Sequence, residues 1–404
     1  MQSKKRIQHL SELPTEPSTI GTMVWNQTGE WRYLTPVVAD KMAPCSWNCP
    51  AGIPIPGYLN ALKQGDVQNG LVLLLAHNPL PGLTGRLCYH PCQTKCARRK
   101  IDGAISIQQI ERFLANLDTD VKIAQSGKIN RRVAIIGSGP LGLSCAFYLG
   151  CLGCEVVVLD SNSRAGGALL DLSPEKMDQQ VLAGEINRLI RLADIKLETG
   201  ASISFDTLCK QLSEFDIVIL DPTGLPEYSG THAGAIAFNP FDDETITGDI
   251  ITVDVVQNLK PFKASMIAHY IAAGRLTAKK LFDCRFMRLE RQGIAQPDQG
   301  LPRKSVNMED IKFKRFSATD PSTKATTKQK ETWTKVQALR ESERCLSCGT
   351  CNLCLQCVLY CPDASIKQGE DNTAIVVDLG HCKGCGICAY ECPRGVITME
   401  EVET

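Results

Sequence analysis

Between positions 130 and 285 the apolar residues fall into short blocks separated by glycine turns. Arg132-Val-Ala-Ile-Ile breaks at Gly137-Ser-Gly139-Pro-Leu-Gly142, and an apolar run from Leu143 to Leu152 follows. A short apolar block closed by glycines predicts a buried strand, and the longer run behind it predicts a helix. Glu155-Val-Val-Val-Leu then forms a second strand ending at Asp160, and Asp216-Ile-Val-Ile-Leu a further one running into Thr223-Gly224. A helical stretch covers Ala264 to Leu281. Upstream, residues 41–125 read as helical, and residues 1–40 as a polar, irregular arm. Residues 286–340 read as a Lys-, Thr- and Ser-rich linker with a helix from Gln329 to Glu343. Residues 341–404 form a last region of their own. The fold class expected is multidomain, α/β plus α+β.

Charge narrows the function little. Lys+Arg and Asp+Glu both number 44, so no net charge draws the chain to nucleic acid or an anionic membrane. No apolar run approaches the roughly 18 residues of a membrane span. The opening MQSKKRIQHLSELP lacks the apolar core of a signal peptide. A cytoplasmic setting is expected.

Cysteine changes the picture. Twenty are present, and their spacing is that of metal ligands rather than of a small secreted disulfide scaffold. Cys351-x2-Cys354-x2-Cys357-x3-Cys361-Pro362 is repeated as Cys382-x2-Cys385-x2-Cys388-x3-Cys392-Pro393. In this ferredoxin run three thiolates hold one cubane, and the fourth, beside the proline, reaches the other cluster. The expected sets are Cys351, Cys354, Cys357 and Cys392 on one [4Fe-4S] cluster, and Cys382, Cys385, Cys388 and Cys361 on the second. Zinc would not require four thiolates in one run, twice.

The glycine turn carries a second chemistry. In a βαβ dinucleotide unit Gly137 makes the tight turn and Gly139 lets the backbone approach a pyrophosphate. Gly142 admits close helix–strand packing, and Asp160 takes ribose hydroxyls. Arg164-Ala-Gly166-Gly167 follows, and Thr247-Gly248-Asp249 precedes the helical stretch. These features resemble flavin disulfide-reductase-like proteins, in which the second glycine pair lies along the pyrophosphate and the Asp binds the ribityl chain. The resemblance implies FAD. In such proteins an NAD(P)H domain separates the strand ending at Thr223-Gly224 from the Gly-Asp motif. Here only residues 225–247 intervene, against the 100 or so residues of an ordinary domain.

Cys45-x3-Cys49-Pro50, Gly85-Arg86-Leu-Cys88-x3-Cys92-x3-Cys96 and Ala104 to Phe113 resemble the helical iron–sulfur domain of glutamate synthase small subunits and dihydropyrimidine dehydrogenases. The resemblance extends through the flavin region and Arg344-Cys-Leu-Ser-Cys348, less the nicotinamide domain. It implies one cluster matching Cys49, Cys88, Cys92 and a non-cysteine ligand at Glu111. A second would match Cys45 and Cys96 plus an upstream C-x2-C pair, but Val37 and Asp40 stand at those positions. One amino-terminal [4Fe-4S] cluster is therefore expected, with Glu111, Cys45 and Cys96 all open as its completing ligand. Cys145, Cys151, Cys154, Cys209 and Cys284 read as apolar fillers. Cys345 and Cys348 read as spare thiols or cluster neighbours, since two thiolates complete no cluster.

The function expected is an electron-transfer subunit of a multisubunit oxidoreductase, a hetero-oligomer. It would pass electrons between FAD and [4Fe-4S] clusters, to or from a catalytic subunit or a ferredoxin-type carrier. Two alternatives stand beside it: a self-sufficient NAD(P)H:acceptor oxidoreductase with nicotinamide docking directly on the flavin, and a non-enzymatic adaptor. No catalytic residue is assigned.

Overall fold

In the computed structural model the residues described are 27–117, 121–201, 214–221, 236–238, 250–253, 262–282, 332–370 and 374–402. Asp249, Thr223, Gly224, Cys209 and Cys284 lie outside them, as does the first part of the helix expected from Gln329.

The apolar blocks form a six-stranded parallel sheet in the order Lys196–Thr199, Glu155–Asp160, Arg132–Ile136, Ile217–Leu220, Ile250–Val253, Ile236–Phe238. Strand Arg132–Ile136 is central and buried from Val133 onward, as a parallel strand covered on both faces must be. Helix Pro140–Cys151 leaves its glycine turn with Pro in the first turn, where the missing N–H costs no helical bond. Helix Ile267–Leu281 packs against it. Ser144 Oγ donates to Ile271 O at 2.9 Å. A Cβ on Gly274 would meet Leu141 O at 2.5 Å and Cys145 N at 2.7 Å, so this helix pair can approach so closely only with glycine there.

The helical region 41–125 contains helices Ile55–Lys63, Val67–His77, Pro81–Leu87 and Ile107–Ala115, with short turns Pro44–Trp47 and Pro91–Thr94. Asp66 caps the second, accepting from Asn69 N at 3.0 Å. Leu71, Leu74 and Leu75 are wholly buried on one face, each contributing about 1.5–3 kcal/mol. Sequence reasoning separates this region from the dinucleotide fold. The structure instead gives both one continuous apolar core, from Ile55 and Leu62 through Val133 and Phe147 to Ala338. Polar contacts reinforce it: Gly82 N donates to Glu185 Oε2 at 2.6 Å, and Arg188 Nη1 to Ala115 O at 2.7 Å.

Two compact units result. One holds Asp40–Asn352 and Pro393–Gly395, and the other holds residues up to Ala39, Leu353–Cys392 and Val396 onward. Two boundaries therefore differ from the sequence expectation. Leu34–Val38, expected to be irregular, is a strand paired antiparallel with Ile397–Glu401, Leu34 opposite Glu401. A five-residue strand whose partner lies at the other end of the chain leaves no local trace. Arg344–Asn352, expected in the ferredoxin region, belongs instead with the helical body. Helix Lys335–Glu343, closed by a Thr334–Gln337 capping box, packs against Ile55–Lys63. Behind it Arg344 bridges Glu341 at 2.6 Å and Asp102 at 3.1 Å.

Candidate iron–sulfur and dinucleotide sites

Cys49, Cys88, Cys92 and Glu111 come from four separate segments: the turn after Pro44–Trp47, the end of Pro81–Leu87, the turn Pro91–Thr94, and helix Ile107–Ala115. All six pairs among them lie close enough for one charge to raise the other group's pKa. Burial is the larger cause. It pushes the Cys49 thiol up to about 11, the Cys88 thiol to about 12, and raises Cys92 as well. Backbone N–H groups of Ile53, Ala51 and Gly52 oppose it at Cys49, and His90 N donates to Cys88 Sγ at 3.3 Å. Glu111 is 3% exposed. Its carboxyl is raised by burial to about 7, partly held back by the Thr84 hydroxyl.

These groups suit an iron–sulfur cluster. Three thiols and a carboxylate desolvated together are costly as anions unless a cationic core compensates. Tyr58 adds an independent sign: it is fully buried, and its hydroxyl has no hydrogen-bond partner among the described residues. Cys49, Cys92, Glu111 and Cys45 all lie near enough to raise it.

Cys45 lies near Cys92, and Cys45 and Cys96 also meet a second pair of thiols. Both line a small cavity, and Cys345 and Cys348 line it with them. Spacing alone reads Cys345 and Cys348 as spare thiols or cluster neighbours; in the structure the tail helix returns them to the helical body. No spacing rule links thiols separated by the whole dinucleotide fold.

In the ferredoxin unit Cys361, Cys382, Cys385 and Cys388 line one small cavity. Cys388 feels the charge of the other three, and Ser365 N donates to Cys361 Sγ at 3.3 Å. Cys357 is buried, and Cys354 and Cys392 are half-buried in the same unit. Cys351 belongs to the other unit, one residue before its segment ends at Asn352.

At the glycine turn Gly137, Gly166 and Gly167 all have positive φ, at 101°, 139° and 51°, and Gly139 caps helix Pro140–Cys151. A Cβ on Gly142 would meet Gly137 O at 2.5 Å and Asp221 Oδ2 at 2.9 Å. Arg164 is exposed beside the turn. Asp160 is fully buried, and its Oδ2 accepts from both the N–H (2.8 Å) and the hydroxyl of Ser138. Asn162 N donates to Oδ1 at 2.8 Å, and Gly166 N to Ser138 Oγ at 2.9 Å. Asp160 thus ties the two glycine turns together through Ser138. Sequence reasoning also passed over Asp221, whose carboxylate accepts from Gly142 N at 2.9 Å. That carboxylate occupies part of the helix start.

Three segments match described families: 38–123 the dihydropyrimidine dehydrogenase domain II with a 4Fe-4S cluster, 135–183 an NAD(P)-binding Rossmann-like domain, and 375–398 a 4Fe-4S binding domain. The chain carries all three modules. Among relatives, the NADP(+)-dependent formate dehydrogenase subunit beta of Moorella thermoacetica is 28% identical over 54% of this chain and 33% of that protein. The NADPH-Fe(3+) oxidoreductase subunit beta of Geobacter sulfurreducens is 33% identical over 45% and 28%. The glutamate synthase [NADPH] small chain of Bacillus subtilis is 33% identical over 43% and 36%. The resemblance to the small-subunit group therefore holds, while the matches span about a third of each relative's length. Among the described residues no helix is long and apolar enough to cross a membrane.

Proposed function

We propose that this chain is an electron-transfer subunit of a larger oxidoreductase, carrying FAD, two ferredoxin-type [4Fe-4S] clusters and an amino-terminal [4Fe-4S] cluster. The observation that carries the reading is the shared core: the Cys49–Glu111 site and the dinucleotide fold are built on one continuous apolar body. A rigid common body keeps redox groups at fixed separation, which is the protein's share of electron transfer.

FAD, when bound, would exchange electrons in pairs or singly, whereas each cluster carries one. Gly137, Gly139, Gly142, Gly166 and Gly167 would form its phosphate cradle with Arg164 alongside, and Asp160 would hold the turns in shape. Asp249 would reach the ribityl chain. Cys49, Cys88, Cys92 and Glu111 would hold the amino-terminal cluster. Cys382, Cys385, Cys388 and Cys361 would hold one ferredoxin cluster, and Cys351, Cys354, Cys357 and Cys392 the other. The N–H groups on Cys49, Cys88 and Cys361 would stabilise thiolate charge and so tune potentials. The partner would be a catalytic oxidoreductase subunit or a ferredoxin-type carrier, in a reducing cytoplasm.

A second reading, direct reaction with NADH or NADPH, draws support from the Rossmann-like match and from the nucleotides named in the relatives. The short span 225–247 weighs against it. Iron, sulfide and flavin quantitation on the anaerobically purified chain tests the main reading. One flavin and at least about twelve irons are expected, and a colourless chain would end it.

A further inference from the structure

Cys345 and Cys348 fall outside every matched segment, yet they line one cavity with Cys45 and Cys96. We infer that Cys45, Cys96, Cys345 and Cys348 together hold a further [4Fe-4S] cluster, the tail of the chain supplying two of its four thiolates.

The donor set is the first argument. Four thiols and no carboxylate line the cavity, and its remaining wall is largely apolar, from Pro44, Ile55, Leu59, Ile105 and Ile107. Every pair among the four thiols lies within electrostatic reach. Among the described residues no three His, Cys, Asp or Glu groups meet the geometry of a single-ion site. Tetrahedral zinc at about 2.3 Å from each sulfur needs thiolates roughly 3.8 Å apart. A cubane spreads its thiolates over four irons at its corners.

The surroundings favour thiolate charge. Ser347, at a φ of 49°, turns its N–H onto Cys345 Sγ at 3.3 Å. A non-glycine residue in that region is uncommon without a reason. Lys63 donates to Cys345 O, and its ammonium lowers the Cys345 thiol, as Arg394 lowers Cys348. Both cations lie where they would offset the negative charge of cluster thiolates.

The tail is also held in register for this task. Glu341 accepts from Ser106 N at 2.8 Å, and Arg344 donates to Gly103 O at 2.8 Å as well as pairing with Asp102. Cys92 feels the charge of Cys45, and the unpartnered Tyr58 hydroxyl lies near both sites. The two sites are neighbours. The inference shares the iron–sulfur chemistry proposed above, but uses none of the ligands proposed there.

The test is 57Fe Mössbauer spectroscopy with iron, sulfide, zinc and flavin analysis on the full chain, purified anaerobically. About sixteen irons are expected in four cubanes. The double variants Cys345→Ser/Cys348→Ser and Cys45→Ser/Cys96→Ser should each lose about four irons with flavin retained, and the quadruple variant should lose no more than either. A wild-type count of about twelve irons, unchanged in Cys345→Ser/Cys348→Ser, overturns the inference without any appeal to a variant's folding, as does zinc in the cavity. Failure of the proposed function reads differently: flavin is absent, or Cys49→Ser/Cys88→Ser leaves the iron unchanged.

Discussion

Thr84 Oγ1 donates a hydrogen bond to Glu111 Oε2 at 2.9 Å, although both side chains are buried. A buried carboxylate aimed by a hydroxyl and set among three thiols is no surface helix acid and suits the ligand role proposed for it. Glu111→Ala should therefore remove about four irons per chain with flavin content unchanged. Thr84→Val should leave the ligand in place but loosen it, shortening cluster lifetime in air. Full iron in Glu111→Ala would assign the acid a packing role.

The metal-free chain should record Glu111 in its pH dependence. Burial raises this carboxyl from 4.5 to about 7. The unfolded chain gives up the proton first, so this group's contribution falls as pH rises from about 4.5 to 7, by on the order of 3 kcal/mol. His90, held by burial at about 4, acts with the opposite sign, its contribution being lost as pH falls below about 6.5. Only a difference isolates the acid. Urea denaturation should show Glu111→Gln gaining on the wild type across pH 4.5–7, and parallel curves would contradict it.

Tyr58 offers a spectroscopic test. Its hydroxyl has no partner among the described residues and lies near Cys49, Cys92 and Glu111, so it should donate to cluster sulfur. Tyr58→Phe removes a bond of about 1 kcal/mol, lowering a one-electron midpoint by roughly 40 mV. Redox titration followed by electron paramagnetic resonance would read the shift, and an unmoved midpoint would put the hydroxyl elsewhere.

Gly142 tests the dinucleotide turn. An added Cβ would strike Gly137 O and Asp221 Oδ2, so Gly142→Ala should cost about 1–3 kcal/mol and release flavin while iron is retained. Ser138→Ala should act more weakly on the same readout, since it loses the hydroxyl linking Asp160 to Gly166 N. Undiminished flavin in Gly142→Ala would argue against this turn as the phosphate cradle.

What could be read in advance was whatever is local. The strand before Gly137, the helix behind it and the grouping of Cys382, Cys385 and Cys388 each follow from residues a few positions apart. What escaped was long-range. Leu34–Val38 is too short to declare itself a strand without Ile397–Glu401 beside it. Cys345 and Cys348 seemed surplus because their companions Cys45 and Cys96 precede the whole dinucleotide fold. Asp221 gave no motif, because its role depends on a parallel neighbour bringing strand Ile217–Leu220 level with the start of helix Pro140–Cys151.

The proposed function has electrons passing to or from a protein partner and not coming directly from a nicotinamide. Anaerobic stopped-flow mixing of the purified chain with NADH, NADPH and dithionite tests it most directly. Dithionite should bleach the flavin and cluster bands, while neither nucleotide changes the visible spectrum. Bleaching within seconds by either nucleotide would contradict the account and make the chain an oxidoreductase in its own right.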